Sequence, residues 1–155
     1  MKKIYIVFVS LILIGCEPFT EKWDSIYLKN NSDYEICYTY DRENLRHMNY
    51  PDTLIPKVKE ENLFLSPLSA GYNTLITSRE SWNQVIMRLP NDTLSIYIFK
   101  EATINSYPWE IISSEYKILK RYDFSVQDLE SLNYKISYPP TEQMKNIRMY
   151  PPYQE

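Results

Sequence analysis

One segment near the middle of the chain, Leu94–Phe99, constrains the fold more than any other. Successive side chains of a β-strand point to opposite faces of its sheet. Here one alternating set is Leu94, Ile96 and Ile98, and the other set is Ser95, Tyr97 and Phe99. Because both sets are largely apolar, both faces are typical of a buried strand. The segment therefore predicts a strand at the centre of a sheet.

Two further alternating segments lie on either side of a polar turn. In the first, Ile26 and Leu28 alternate with Tyr27 and Lys29, and the second runs from 34 to 40. Asn30–Asp33, a cluster of residues typical of turns, stands between them. Two strands around a short polar turn predict a β-hairpin.

The remaining strand patterns are shorter. Leu63–Leu65 and Asn73–Thr77 are weaker candidates, and Pro67 and Gly71 separate them. A last alternating segment, Tyr134–Tyr138, ends at a pair of prolines that cannot continue a strand.

Helical patterns are few and short. They occur at Ser78–Met87, after Pro108 and at Ser125–Leu132, where Ser125 and Asp128 have the spacing of a capping box. The ambiguous segment Tyr116–Tyr122 is interpreted as a strand. Together these patterns predict a mainly β fold, a single β-sandwich-like domain with a few short helices. A two-layer α+β fold is the alternative.

The N-terminus has the pattern of an export signal. Lys2 and Lys3 precede an apolar run, Ile4–Ile14, that only Ser10 interrupts. A helix of this length rises roughly 16 Å, about half of a bilayer core. The run is therefore interpreted as the hydrophobic region of a signal peptide and not as a membrane span.

The end of this run, Leu13-Ile14-Gly15-Cys16, resembles the lipobox of bacterial lipoproteins. The resemblance implies cleavage before Cys16 and attachment of a diacylglycerol to its thiol. It predicts a lipoprotein signal peptide at 1–15, a lipid-anchored tether at 16–23 and a single β-rich domain at 24–155. The predicted location is the bacterial cell envelope, at the outer membrane, on its periplasmic or its surface face. An ordinary signal peptide with an incidental cysteine is the alternative.

The C-terminal half is similar to small uncharacterised lipoproteins of the Bacteroidetes. The similarity is carried by Trp109–Ile112, by Leu119-Lys120-Arg121-Tyr122-Asp123 and by Tyr138-Pro139-Pro140. It implies location and lineage, with no activity attached.

That lineage also implies a modification. Exported Bacteroidetes proteins carry O-linked glycans at Asp-Ser/Thr-apolar sequences, and three such sequences place candidate acceptors at Ser25, Thr53 and Thr93. Thr53 is the best candidate because it lies in a polar loop. Ordinary turn chemistry at Asp-Ser and Asp-Thr is the alternative explanation.

Composition excludes several kinds of chemistry. With one histidine, His47, and two cysteines, Cys16 and Cys37, the chain cannot build a His/Cys zinc site by itself. A Cys37–His47 nucleophile pair is disfavoured because Cys37 lies in an apolar strand pattern, which predicts a buried, inert thiol. No catalytic residue and no cofactor is predicted. Without Lys2 and Lys3 the chain is more acidic, which argues against nucleic acid as a partner.

The function class that fits these features best is binding. The sequence predicts a lipid-anchored accessory module, held to the membrane through Cys16, that binds another envelope protein. Tyr138, Tyr150 and Tyr153, each beside a proline pair or near the C-terminus, form the candidate interaction surface. The alternative is that this proline-rich segment seals an edge of the sheet. A glycan- or peptide-binding module is the first alternative, and a small hydrolase built on paired carboxylates is the second.

Overall fold

The computed structural model describes residues 24–40, 48–59 and 63–154. The predicted signal peptide and tether, with Cys16, and the histidine at position 47 lie outside these ranges. Within them the strands are β1 Asp24–Asn30, β2 Ile36–Tyr40, β3 Ser66–Leu68, β4 Asn73–Ser78, β5 Leu94–Lys100, β6 Lys120–Phe124, β7 Lys135–Tyr138 and β8 Arg148–Tyr150. The helices are α1 Trp82–Ile86, α2 Glu101–Ser106, α3 Trp109–Ser114 and α4 Val126–Ser131. None of these helices is long and apolar enough to cross a membrane.

The strands form two sheets, so the predicted mainly β class with a few short helices is confirmed. The small sheet has the order β4-β1-β7, with β1 antiparallel to β4 and parallel to β7. The large sheet has the order β3-β2-β5-β6-β8 and is antiparallel throughout. The strand predicted from Leu94–Phe99 is β5, and it occupies the central position of the large sheet.

Both faces of β5 are covered, as its two apolar sets of side chains require. Ile96 and Ile98 share a core with Ile26 of β1, between the two sheets. On the opposite face, Tyr97 and Phe99 belong to a second core. That core is completed by Cys37 of β2, Ile112 of α3 and residues of the 48–59 segment, Met48 and Ile55.

The prediction that Cys37 is buried is confirmed. Its side chain belongs to the second core and is 6% exposed. Burial raises the pKa of the thiol, and the nearby carboxylates of Glu101 and Glu35 raise it further. The thiol is therefore protonated at neutral pH and acts as a small apolar side chain.

The predicted hairpin is wrong, because β1 and β2 belong to different sheets. The buried side chain of Asn30 shapes the connection: its amide donates to the carbonyls of Tyr34, at 2.8 Å, and Leu68, at 3.0 Å. Its Oδ1 accepts the backbone N–H of Ser32 at 3.0 Å. A polar turn of this kind can connect strands of two different sheets as well as the two strands of a hairpin. Here both strands turn an apolar side toward the same core, which places them in opposite layers.

Two other boundaries differ from the sequence prediction. The strand expected at Leu63–Leu65 forms instead at β3, which contains Pro67. Proline is tolerated there because β3 is an edge strand, where a missing N–H breaks no ladder. Helix α2 was not predicted from sequence, whereas the capping box is confirmed: Ser125 Oγ accepts the N–H of Asp128, and Asp128 Oδ2 accepts the N–H of Ser125.

Replacing Asn30 by alanine should lower the free energy of unfolding by about 2 kcal/mol, because two buried or part-buried carbonyls lose their donor. The neighbouring Asn31→Ala is the control, since Asn31 is exposed and its change should stay within about 0.5 kcal/mol. Urea denaturation of the two variants and the parent chain measures both effects. Equal losses for the two variants would contradict the role assigned to Asn30.

Candidate functional site

The face of the large sheet that carries the second core becomes polar toward one end. Strand pairing places Ser95, Asp123 and Arg148 directly opposite one another on β5, β6 and β8. Since directly opposed residues of antiparallel strands share a face, these three side chains form one polar row. Beside it runs a second row of Tyr97, Arg121 and Tyr150.

The carboxylate of Asp123 is the buried charge of the first row. Its side chain is 0% exposed, and both oxygens accept from Arg121 Nε at 3.1 Å. Oδ1 also accepts from Ser95 Oγ at 2.7 Å. A buried carboxylate requires compensation of this kind, so Asp123 is held as one half of an ion pair.

Hydrogen bonds that involve the second row hold the segment 48–59 against the sheet. Arg121 Nη1 donates to the hydroxyl of Tyr116 at 2.7 Å, and that hydroxyl donates to the carbonyl of Thr53 at 2.9 Å. The hydroxyl of Tyr97 donates to the same carbonyl at 3.0 Å. Burial raises the pKa of the Tyr97 phenol, so it stays protonated and remains a donor.

A cleft of about 540 Å³ opens between this segment, the sheet and the start of α4. We call it the Arg148 cleft. Its lining is mostly polar and consists of Tyr50, Pro51, Asn91, Thr93, Asp123, Ser125, Asp128, Asn146 and Arg148. The guanidinium carbon of Arg148 lies 4.2 Å from the centre of the Tyr50 ring, within the range of a cation–π interaction.

The charged groups of the cleft differ in what they already bind. Asp123 is paired with Arg121, and Asp128 accepts the backbone N–H and the hydroxyl of Ser125. Arg148 is exposed, and no carboxylate of the described ranges forms an ion pair with it. Among the charged groups of the cleft, the guanidinium of Arg148 is therefore the one with donors to offer to a ligand.

The predicted tyrosine surface is corrected at Tyr138, which is 6% exposed. This residue lies on the inward side of β7 with Ile136, and its hydroxyl is 2.6 Å from that of Tyr34. A following proline ends a strand but does not turn its last side chain outward. Tyr150 is 48% exposed and packs edge-on against Tyr116, and Tyr153 is partly exposed.

The three candidate glycosylation sites differ in exposure. Thr93 is 5% exposed, and its hydroxyl donates to the carbonyl of Asn91 at 2.7 Å, so the fold does not present it to an enzyme. Ser25, opposite Thr77 in the small sheet, and Thr53 are partly exposed. The candidate lipidation site, Cys16, lies outside the described residues.

Sequence reasoning did not find the Arg148 cleft. One usable signal was present: Arg121 and Asp123 stand two apart, which puts opposite charges on one face of a strand, although the strand predicted at Tyr116–Tyr122 stops one residue before Asp123. The other half of the cleft depends on β8 pairing with β6, a contact between distant parts of the chain. No periodicity within the C-terminal tail indicates that partner.

Comparison with known proteins does not assign a function to this cleft. No protein-family model, no curated protein and no solved structure matches the chain. Within the described residues, no group of three or more His, Cys, Asp or Glu side chains is placed to hold a metal ion.

Replacing Asp123 by asparagine should lower the free energy of unfolding by roughly 2 to 4 kcal/mol, because Arg121, 12% exposed, is left without its carboxylate. The matched control is Glu142→Gln, which breaks the exposed pair with Lys145 and should cost about 0.5 kcal/mol or less. Thermal and urea unfolding of both variants test the difference. A loss at Asp123 no larger than at Glu142 would contradict the structural role of the buried pair.

Proposed function

We propose that this chain is a lipid-anchored binding module of the bacterial cell envelope, at the outer membrane, and that it binds an acidic glycan in the Arg148 cleft. The observation that carries the ligand class is the guanidinium of Arg148, which lies 4.2 Å from the centre of the Tyr50 ring and forms no ion pair with a described carboxylate. A planar guanidinium suits a carboxylate because it can donate two parallel hydrogen bonds.

The rest of the lining supports a hydroxyl-rich ligand. The side chains of Asn91 and Asn146 offer both donors and acceptors, and the ring of Tyr50 is the aromatic group beside them. An extended peptide would need apolar pockets for its alternate side chains. The mostly polar lining of this cleft favours a saccharide instead.

The same geometry gives less support to a hydrolase. Hydrolysis of a glycoside uses one carboxyl group as an acid and a second as a base or nucleophile. In this cleft Asp123 is bound by Arg121 and Ser95, and Asp128 caps α4. Both carboxylates therefore have structural partners, and binding without turnover is the function proposed.

The anchor is supported by the sequence Leu13-Ile14-Gly15-Cys16. Strand β1 begins at Asp24, and the residues between it and Cys16 span at most about 28 Å when extended. A domain on so short a tether stays close to the membrane surface. The ligands within its reach are then those of the envelope itself.

A second candidate function, an accessory module for another envelope protein, is favoured by three exposed apolar side chains on two segments that contact each other. Leu54 is 70% exposed, Val58 73% and Ile111 37%. Their segments are joined by hydrogen bonds from Ser113 Oγ to the carbonyl of Ile55, at 2.7 Å, and from the Trp109 indole to the carbonyl of Pro56, at 2.8 Å. An apolar group of this kind suits a protein surface better than a sugar.

Substitution of each of the two cysteines tests whether a lipid is attached at Cys16. Cells that express the chain with a clickable fatty acid should label the parent protein and the Cys37→Ala variant, whereas Cys16→Ala should carry no label. The reason is that the Cys37 thiol is buried, whereas Cys16 follows the signal sequence. Label on the Cys16→Ala variant, or none on the parent chain, would contradict lipid attachment at this residue.

The ligand class is tested by calorimetric titration of the full chain, in detergent, with trigalacturonate and with neutral galactotriose. We expect the acidic trisaccharide to bind at least about tenfold more tightly. Arg148→Gln should weaken its binding by about tenfold or more, because hydrogen bonds to charged groups contribute about 1.5 to 3 kcal/mol. Lys135→Gln, which removes an exposed positive charge from β7, is the matched control and should bind like the parent chain.

Two outcomes would overturn the glycan proposal. One is equal binding of the acidic and the neutral trisaccharide, and the other is an Arg148→Gln variant that binds like the control. Capture of one protein partner in cells that persists in Arg148→Gln and is lost in Leu54→Asp would establish the accessory function in its place.

A further inference from the structure

The outer face of the small sheet carries two positive charges and, within its three strands, no negative charge. Strand pairing places Leu75, Tyr27 and Lys135 in one row across this face, on the side away from the core between the sheets. Lys29 stands two positions after Tyr27 and so shares the face. We call these four residues the lysine face. The other outward positions of the three strands hold serine, asparagine or threonine.

The side chains of the lysine face suit a negatively charged partner. Lys29 and Lys135 are exposed, and no carboxylate of the described ranges forms an ion pair with either. Like charges on neighbouring strands repel each other, and an anionic surface offsets that repulsion. Leu75 is 56% exposed, and Tyr27 beside it is partly exposed. The net charge of the whole chain is −3, so this face has the opposite sign from the chain as a whole.

The small sheet is also the part of the fold that the chain enters first after the proposed lipid. Its middle strand, β1, begins at Asp24, and the residues between Cys16 and Asp24 span at most about 28 Å. A lipid on Cys16 therefore keeps the small sheet within that distance of the bilayer. The large sheet packs on the inner side of the small sheet, and α3 lies beyond the large sheet.

We propose that the lysine face docks on the surface of a bilayer that contains anionic phospholipids. The inference rests on the lipid anchor of the proposed function. A negatively charged bilayer surface attracts the lysines that lie close to it. Tyrosine and leucine side chains suit the boundary between headgroups and acyl chains, where an amphipathic surface is buried. In the docked orientation β1 lies along the bilayer, so both of its ends are close to the headgroups.

Docking through the lysine face determines where the Arg148 cleft opens. Asp123 and Arg148 lie on the face of the large sheet that carries the second core, and the small sheet packs against its other face. A small sheet that lies on the bilayer therefore turns the cleft away from the bilayer. The docked surface and the cleft share no residue, so docking leaves the cleft open to its proposed ligand.

Fluorescence quenching in vesicles tests the orientation. The full chain carries a bimane label at Asn31→Cys or at Ser114→Cys, and the vesicles contain a lipid that is spin-labelled at its headgroup. Asn31 is exposed at the end of β1 farther from the tether, and Ser114 is exposed on α3. In vesicles of equal parts phosphatidylglycerol and phosphatidylcholine, we expect strong quenching at position 31 and little at 114. In phosphatidylcholine alone, quenching at 31 should fall to the level at 114. The unsubstituted chain, treated with the same label, gives the background.

The role of charge is tested by adding Lys29→Gln together with Lys135→Gln to the labelled Asn31→Cys chain. In the anionic vesicles this variant should lower the ratio of docked to undocked chain by about tenfold or more, because each lysine near the surface adds to the attraction. The matched control, Lys57→Gln together with Lys59→Gln, removes the same charge from the segment that covers the second core. Its quenching should equal that of the chain with all four lysines. Circular dichroism confirms that both variants are folded.

The docking proposal fails on any of three results. The first is a label at position 31 that is quenched no more than the label at 114 in anionic vesicles. The second is quenching at 31 that does not depend on phosphatidylglycerol, and the third is an equal loss in the two lysine variants. Failure of the lipid anchor is read separately, from the fatty-acid label. A chain without that label keeps the apolar run Ile4–Ile14 to hold it in the vesicles, and quenching of its label at 31 supports docking all the same.

Discussion

The requirement to bury both faces of β5 is the constraint on which the other layers depend. Ile96 and Ile98 on one side need an apolar layer, and β1, β4 and β7 supply it as a second sheet. Tyr97 and Phe99 on the other side need a different cover, which comes from α2, α3 and the segment 48–59. Among the residues that the structure describes, that second cover does not extend along the whole face. The polar row of Ser95, Asp123 and Arg148 lies where the apolar cover ends.

That end of the sheet sets the electrostatics of the candidate site. Asp123 is buried because it lies in the middle of a row between β5 and β8, and a buried carboxylate has to be neutralised nearby. Arg121, two residues earlier on the same face, does so. The guanidinium of Arg121 is thereby committed to the fold through Asp123 and Tyr116, whereas Arg148 is left at the opening with Tyr50 beneath it. Of these two arginines on neighbouring strands, one is bound within the fold and the other lies at the opening of the cleft.

What the sequence could predict was local, and what it could not predict was pairing between distant segments. The centre of the large sheet, the capping box at Ser125 and the burial of Cys37 each follow from a pattern within a few residues, and each is confirmed. The hairpin failed because a turn cluster fixes where the chain reverses, not which sheet the next strand joins. The prolines after Tyr138 do not determine which way its side chain points, whereas its alternation with Ile136 places it on the inward side of β7. The cleft needs β6 and β8 side by side, which only the whole fold determines.

Two residues at or near the Arg148 cleft take a backbone conformation that is usual for glycine, although neither is glycine. Gly71 takes a positive φ, but so do Asn91, which lines the cleft, and Tyr116, at +51° and +50°. A side chain in this conformation costs roughly 1 to 2 kcal/mol, so it persists only where neighbouring contacts fix it. Asn91 meets this condition through its carbonyl, which accepts from the Thr93 hydroxyl at 2.7 Å. Tyr116, outside the lining, meets it through the bonds of its hydroxyl to Arg121 and Thr53. For the ligand proposed for the Arg148 cleft, residues fixed in this way would lose less conformational entropy on binding than a flexible, glycine-rich loop.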